Sequence, residues 1–147
     1  MNYTSYYGAH VDEAAAAARI EKLKQAFFKG ENTPCERIFS SPGRAEILGN
    51  HTDHNHGLVI VAAISCDILA AVKKREDDKV KICSEGYAPI VIDLKDTGRK
   101  PKETGTSAAL TRGVAHALIE KGYEIGGFTA CLTSNVFKGA GVSSSAA

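Results

Sequence analysis

No stretch of this sequence is long and apolar enough to cross a bilayer. The most apolar run, Leu58 to Val72, is broken by Ser65 and Asp67, and it reads as buried strand. Met1-Asn2-Tyr3-Thr4 lacks a basic segment followed by an apolar core, so no signal peptide is expected. Charge of one sign is also lacking. Lysine and arginine number 18 against 17 acidic residues, a formal charge of +1, which gives no electrostatic case for nucleic acid or an anionic membrane. The four cysteines, Cys35, Cys66, Cys83 and Cys131, show no C-x-x-C spacing, and reduced thiols in a cytosolic protein are the expected state. Neither a Walker A ending nor a G-x-G-x-x-G fingerprint occurs, which excludes the two commonest nucleotide loops. No internal repeat is present, and the only low-complexity segment is the alanine block at 14–18.

What remains is an alternation of helical and extended patterns in a length suited to one domain. Asp12 and the alanine block predict a helix over 12–29, stopped by Gly30, with Val11, Ala15, Ala18, Leu23 and Phe27 on its packed face. Arg37 to Ser41 is expected to be a short strand closed by a Pro42-Gly43 turn. Two apolar strands, 58–64 and 66–75, are expected to lead through an Asp77-Asp78 hairpin turn into a strand at 79–84. Further strands are expected at 90–94 and 127–134, with a polar loop over 96–104. Thr106 or Ser107 should cap a helix over 107–121 that packs through Ala109, Leu110, Val114 and Leu118 and stops before Gly122. This order predicts one α+β domain with a mostly antiparallel sheet.

Two stretches carry chemistry. The last nine residues, Gly139-Ala140-Gly141-Val142-Ser143-Ser144-Ser145-Ala146-Ala147, pass from glycines through serines to strong helix formers. A glycine-rich loop feeding a helix N-terminus offers free N–H groups to a phosphate chain. The helix it should open begins where the chain stops, and one turn of helix is unstable alone. The expectation is therefore an N-terminal part of a longer protein. The second stretch, Ser41 to Gly57, crowds ionisable groups between apolar segments. His51, His54, His56 and Asp53 could ligate a metal. Against a metal, the only other histidines, His10 and His116, offer no second cluster to complete a site. The other reading is a pocket for a polyhydroxylated ligand, for which Asn50, His51 and Asp53 supply mixed donors and acceptors. Arg44 can neutralise a phosphate or the charge that develops during phosphoryl transfer, or it can pair with Glu46 or Asp53.

The pattern Ser41-Pro42-Gly43-Arg44-x-x-x-x-Gly49-x-His51-Thr52-Asp53-x-Asn55-x-Gly57 closely resembles the galactokinase signature. Gly139 to Ala146 resemble the ATP-binding motif of the GHMP kinase superfamily, to which galactokinases belong. The resemblance implies an ATP-dependent sugar 1-kinase, cytosolic, acting on galactose with ATP and Mg²⁺. It implies a ribosomal-protein-S5-domain-2-like N-terminal domain over 1–147, truncated after the ATP loop, with the C-terminal domain and the catalytic aspartate beyond Ala147. By the same resemblance, Arg44 stands beside the anomeric hydroxyl and the transferred phosphate. Asn50, His51 and Asp53 stand at the sugar, and Gly139, Ala140, Gly141, Val142, Ser143, Ser144 and Ser145 at the phosphates. Ser144 or Ser145 would face Mg²⁺. There are departures from the family pattern: Asn50 replaces a common glutamate, His54 a tyrosine, and Phe137-Lys138 a Pro-Leu pair. Asn50 leaves a kinase for an N-acetylated sugar open. A non-catalytic regulator responsive to sugar and ATP is the other alternative, and the intact Ser143–Ala147 run favours the enzyme.

Overall fold

Asp12 starts the first helix by accepting the Ala15 N–H at 3.0 Å, which satisfies one of the orphan donors of the first turn. In the computed structural model, which describes residues 7–8, 11–50, 52 and 55–136, this helix, α1, runs Glu13–Glu31. It passes through Gly30 and ends where Asn32 adopts φ +51°, so asparagine does the work expected of the glycine. Ile20, Leu23 and Phe27 are its buried residues, with Ala16 half-buried one turn earlier. Ala15 and Ala18, expected on that face, are exposed.

Among the described residues five strands follow: β1 Arg37–Leu48, β2 Ile60–Lys74, β3 Lys79–Ser84, β4 Ile90–Asp93 and β5 Phe128–Ser134. They form one sheet in the order β1-β2-β5-β3-β4. Pro42-Gly43 does not close β1, which continues through it. An edge strand can absorb a residue without an N–H, because one side of it has no ladder to feed. β2 is a single strand of 15 residues rather than two. The turn after it is not a hairpin, because β5 lies between β2 and β3. Arg75 donates its N–H to the Gly127 carbonyl at 2.9 Å, while the Asp78 carbonyl takes the Leu94 N–H at 2.8 Å. These bonds send the chain past β5 to pair with β4. β3 is antiparallel to β4 and parallel to β5, so the sheet is mixed and the fold is α+β.

The chain divides into two compact units, the first made of 1–23, 39–70 and 133–147, the second of 24–38 and 71–132. The second unit has its core on one face of the sheet. Val80, Ile92, Leu94 and Ala115 are buried there, packed by Ile82, Ile90, Ala108, Ile125 and Phe128. Ala108 and Ala115 belong to α2, Ser107–Glu120, whose first N–H groups are capped by the Thr106 hydroxyl accepting from Ala109 at 3.2 Å. Helix and sheet therefore meet through alanine. The larger Leu110 and Val114, expected to pack, are 54% and 55% exposed. The packed face also carries Arg112, only 4% exposed. Its Nε and Nη2 donate to Glu103 at 2.8 Å each, and its Nη1 donates to the Asp96 carbonyl. Glu103 sits in a one-turn 3-10 helix, Pro101–Glu103, inside the expected polar loop. On the opposite face, Lys81 reaches Glu31 at 2.7 Å and ties the end of α1 to β3. Cys83 and Cys131 lie opposite each other on β3 and β5. Burial first, then the neighbouring Cys83, pushes the Cys131 thiol up to about 11, which keeps it protonated and a weak nucleophile.

Hydrogen bonding from Arg112 holds the Glu103 carboxyl below its ordinary value of 4.5, against a smaller opposing effect of burial. A carboxyl lowered in the folded state contributes stability above the unfolded value and loses it as pH falls through the folded one. Glu103→Gln is therefore expected to lower the urea midpoint near neutral pH. The gap to wild type should close once the pH drops below the lowered value. A gap of equal size at about pH 7 and about pH 3 would show that charge plays no part.

Candidate functional site

β1 carries the half-buried Arg44 just past the buried Gly43 and ends at Leu48. The chain must then reverse into β2, and Gly49 begins the reversal at φ +118°. A Cβ there would lie 2.6 Å from both the Leu58 carbonyl oxygen and Val59 Cγ1, so the returning strand leaves no room for a side chain. Asn50 follows at φ +53°, and His56 lies further on at φ +63°. Asparagine is among the few non-glycine residues that enter the left-handed region readily. Asn50 therefore has a backbone reason to be asparagine, separate from anything its amide binds.

Thr52 holds this loop together. Its hydroxyl donates to the Gly49 carbonyl at 2.8 Å, and its own carbonyl accepts from the N–H groups of Asn55 and Gly57, each at 2.9 Å. Gly57 lies against the Thr52 side chain so closely that a Cβ would fall 2.5 Å from Thr52 Cβ. The sequence marks Thr52 as a fixed position of the signature pattern between His51 and Asp53 but gives it no role of its own. The bonds it makes to Gly49, Asn55 and Gly57 appear only once the loop is folded. Of the expected sugar-site residues, Arg44 and Asn50 are placed, whereas His51 and Asp53 lie outside the described residues. So do His54 and the whole phosphate loop, Gly139, Ala140, Gly141, Val142, Ser143, Ser144 and Ser145. Among the described residues no group of three or more His, Cys, Asp or Glu is arranged to hold a metal, and no helix is long and apolar enough to cross a membrane.

A second feature of the same unit lies on β2. Asp67, which interrupts the apolar run in the sequence, is 1% exposed. Its Oδ2 accepts from the Tyr7 hydroxyl at 2.6 Å and the Ser40 hydroxyl at 2.5 Å, and its Oδ1 pairs with Arg19 Nη1. Arg19 Nη2 donates to the Asp67 carbonyl at 3.0 Å and the Thr133 carbonyl at 3.2 Å. Burial, and next the hydrogen bond to Asp67, push the Tyr7 phenol above its usual 10.0, so it stays a donor. Asn135, immediately beyond β5, accepts the Asp67 N–H at 2.7 Å and returns its own N–H to the Asp67 carbonyl at 3.2 Å. Among the described residues no buried side-chain nitrogen or oxygen lacks a partner. Sequence reasoning misses Asp67 because its partners come from positions up to 68 residues away.

The family profile described as the galactokinase galactose-binding signature matches residues 24–74, which include the whole loop. A galactokinase of Clostridium tetani is 35% identical over 128 residues, 86% of this chain and 32% of the relative. The chain carries the galactokinase galactose-binding signature and is similar to galactokinases over 86% of its length. The crystal structure of Lactococcus lactis galactokinase complexed with galactose superposes with a TM-score of 0.73 at 30% identity, over 86% of this chain and 33% of that one. The mevalonate kinase of Methanococcus jannaschii, at 16% identity and a TM-score of 0.55 over 72% of this chain and 34% of that one, shares the fold. The chain thus spans about a third of the length of the galactokinases it matches.

In this signature-bearing loop, Gly49→Ala combines a disfavoured φ with overlap on Leu58 and Val59. It is expected to destabilise the fold by about 1–3 kcal/mol. Asn50→Gly keeps the left-handed conformation and should shift stability by less than about 1 kcal/mol. Paired denaturant titrations test both, and equal midpoints for Gly49→Ala and wild type would contradict the steric argument.

Proposed function

We propose that this chain supplies the sugar cradle and the phosphate loop of a galactokinase. The enzyme transfers the γ-phosphate of ATP to the anomeric hydroxyl of galactose, giving galactose 1-phosphate. The observation that carries this reading is the Thr52-centred loop. It ties Gly49, Thr52, Asn55 and Gly57 of the signature into one constrained turn, as a pocket that orders hydroxyls requires. The Lactococcus relative, complexed with galactose, supports the choice of sugar.

In this reading Asp53 accepts from ring hydroxyls, His51 and Asn50 complete the sugar's hydrogen bonds, and Arg44 offsets charge on the phosphate in flight. Gly139 to Ser145 wrap the ATP phosphates with backbone N–H groups. Mg²⁺, held through Ser144 or Ser145, would neutralise phosphate charge. Residues 1–147 then form an N-terminal kinase domain, and the general base comes from a part of the protein beyond residue 147. General-base assistance is worth about 10²–10⁴-fold, so the 147-residue chain alone should show no measurable turnover. The left-handed backbone at Asn50 accounts for that residue without a change of substrate. That favours galactose over an N-acetylated sugar.

Two measurements test this. Sugar-dependent ATP consumption by the full-length protein should be seen with galactose and absent for residues 1–147. Asp53→Ala in the full-length protein should raise the galactose KM at least about tenfold, since a charged acceptor is lost from a bound hydroxyl. An unchanged KM would remove Asp53 from the site.

A further inference from the structure

Asp67 is an anion taken almost wholly out of water, which is tolerable only when its charge and lone pairs are met. Tyr7, Ser40 and Arg19 meet them, but this leaves the asymmetry of the arrangement unexplained. Much of the bonding around Asp67 goes to one short segment, the chain leaving β5. Thr133 is held through its carbonyl by Arg19, and Asn135 is bonded to both backbone groups of Asp67. Val136 donates its N–H to the Ser134 hydroxyl at 3.1 Å and is itself buried. The sheet ends at Ser134, so Asn135 and Val136 are fixed without any ladder to fix them. Gly139 comes three residues later in the sequence.

We propose that Asp67 and Asn135 are positioning residues for the nucleotide. They hold the root from which the glycine-serine loop reaches the ATP phosphates. The inference rests on the reading of Gly139–Ser145 as the phosphate loop. The physical argument concerns reach and entropy. Three residues span at most roughly 10 Å, so the position of Val136 limits where Gly139 can lie. A loop with a fixed root loses less freedom when it closes on phosphates than one with a loose root. The two-way bond between Asp67 and Asn135 sets that root, and Arg19 keeps Asp67 from turning away by holding its carbonyl as well as its carboxylate. Neither residue is expected to touch ATP.

Asn135→Ala in the full-length protein tests this without stranding a buried charge, because Arg19 and Asp67 stay paired. It should raise the KM for ATP about tenfold through the lost hydrogen bond and leave the galactose KM close to wild type, with a modest fall in Tm because the buried Asp67 N–H loses its acceptor. A purely structural role would instead disturb the KM values for ATP and galactose together, and that result overturns the proposal. So does an unchanged KM for ATP, provided that Ser144→Ala, within the loop itself, does raise it. If Ser144→Ala is also without effect on ATP, the loop reading fails and the proposal falls with it.

Discussion

A carboxylate buried without partners would make the first unit of this protein untenable, and the arrangement around Asp67 follows from that constraint. The segment at Tyr7, the first helix through Arg19, β1 through Ser40 and the chain beyond β5 through Asn135 each bring a polar group to one residue of β2. In a low-dielectric interior such a network is favourable when complete and costly when broken. Its completeness ties together pieces far apart in sequence. A bulky apolar side chain at 67 could fill the same space, but it would give those four segments no directional reason to meet.

The second unit solves a similar problem with the opposite charge. Arg112 is buried on the helix face nearest the sheet, and its guanidinium is satisfied by Glu103 and the Asp96 carbonyl. Alanines on either side let the helix approach the strands closely, and the arginine stem fills space that an aliphatic residue would otherwise occupy. Leu110 and Val114 are left facing outward. The exposed apolar stripe on α2 is thus a consequence of how Arg112 is buried, and a pattern of apolar spacing alone points to the wrong face.

Around the candidate sugar site the governing force is steric rather than electrostatic. Gly49 and Gly57 are where other parts of the loop come too near for a side chain, and Thr52 closes the turn with its hydroxyl and its carbonyl. The result is a sterically crowded entry into β2 at Gly49 and Gly57, where the galactokinase signature runs.

By itself the sequence determined which segments are helix and strand in most of the chain, because caps, glycines and alternation are local signals. Asp12, Thr106 and the strands at 79–84 and 90–93 show it. It also carried the resemblance to galactokinases, because their signature keeps its residues at close, fixed spacing and so leaves a readable pattern between 41 and 57. Tertiary structure alone decided that β5 inserts between β2 and β3, that Pro42-Gly43 lies within an edge strand, and that Asp67 and Arg112 turn inward. Each of these depends on a partner distant in sequence, and a buried charge or a strand order is set by that partner rather than by the residue's neighbours along the chain.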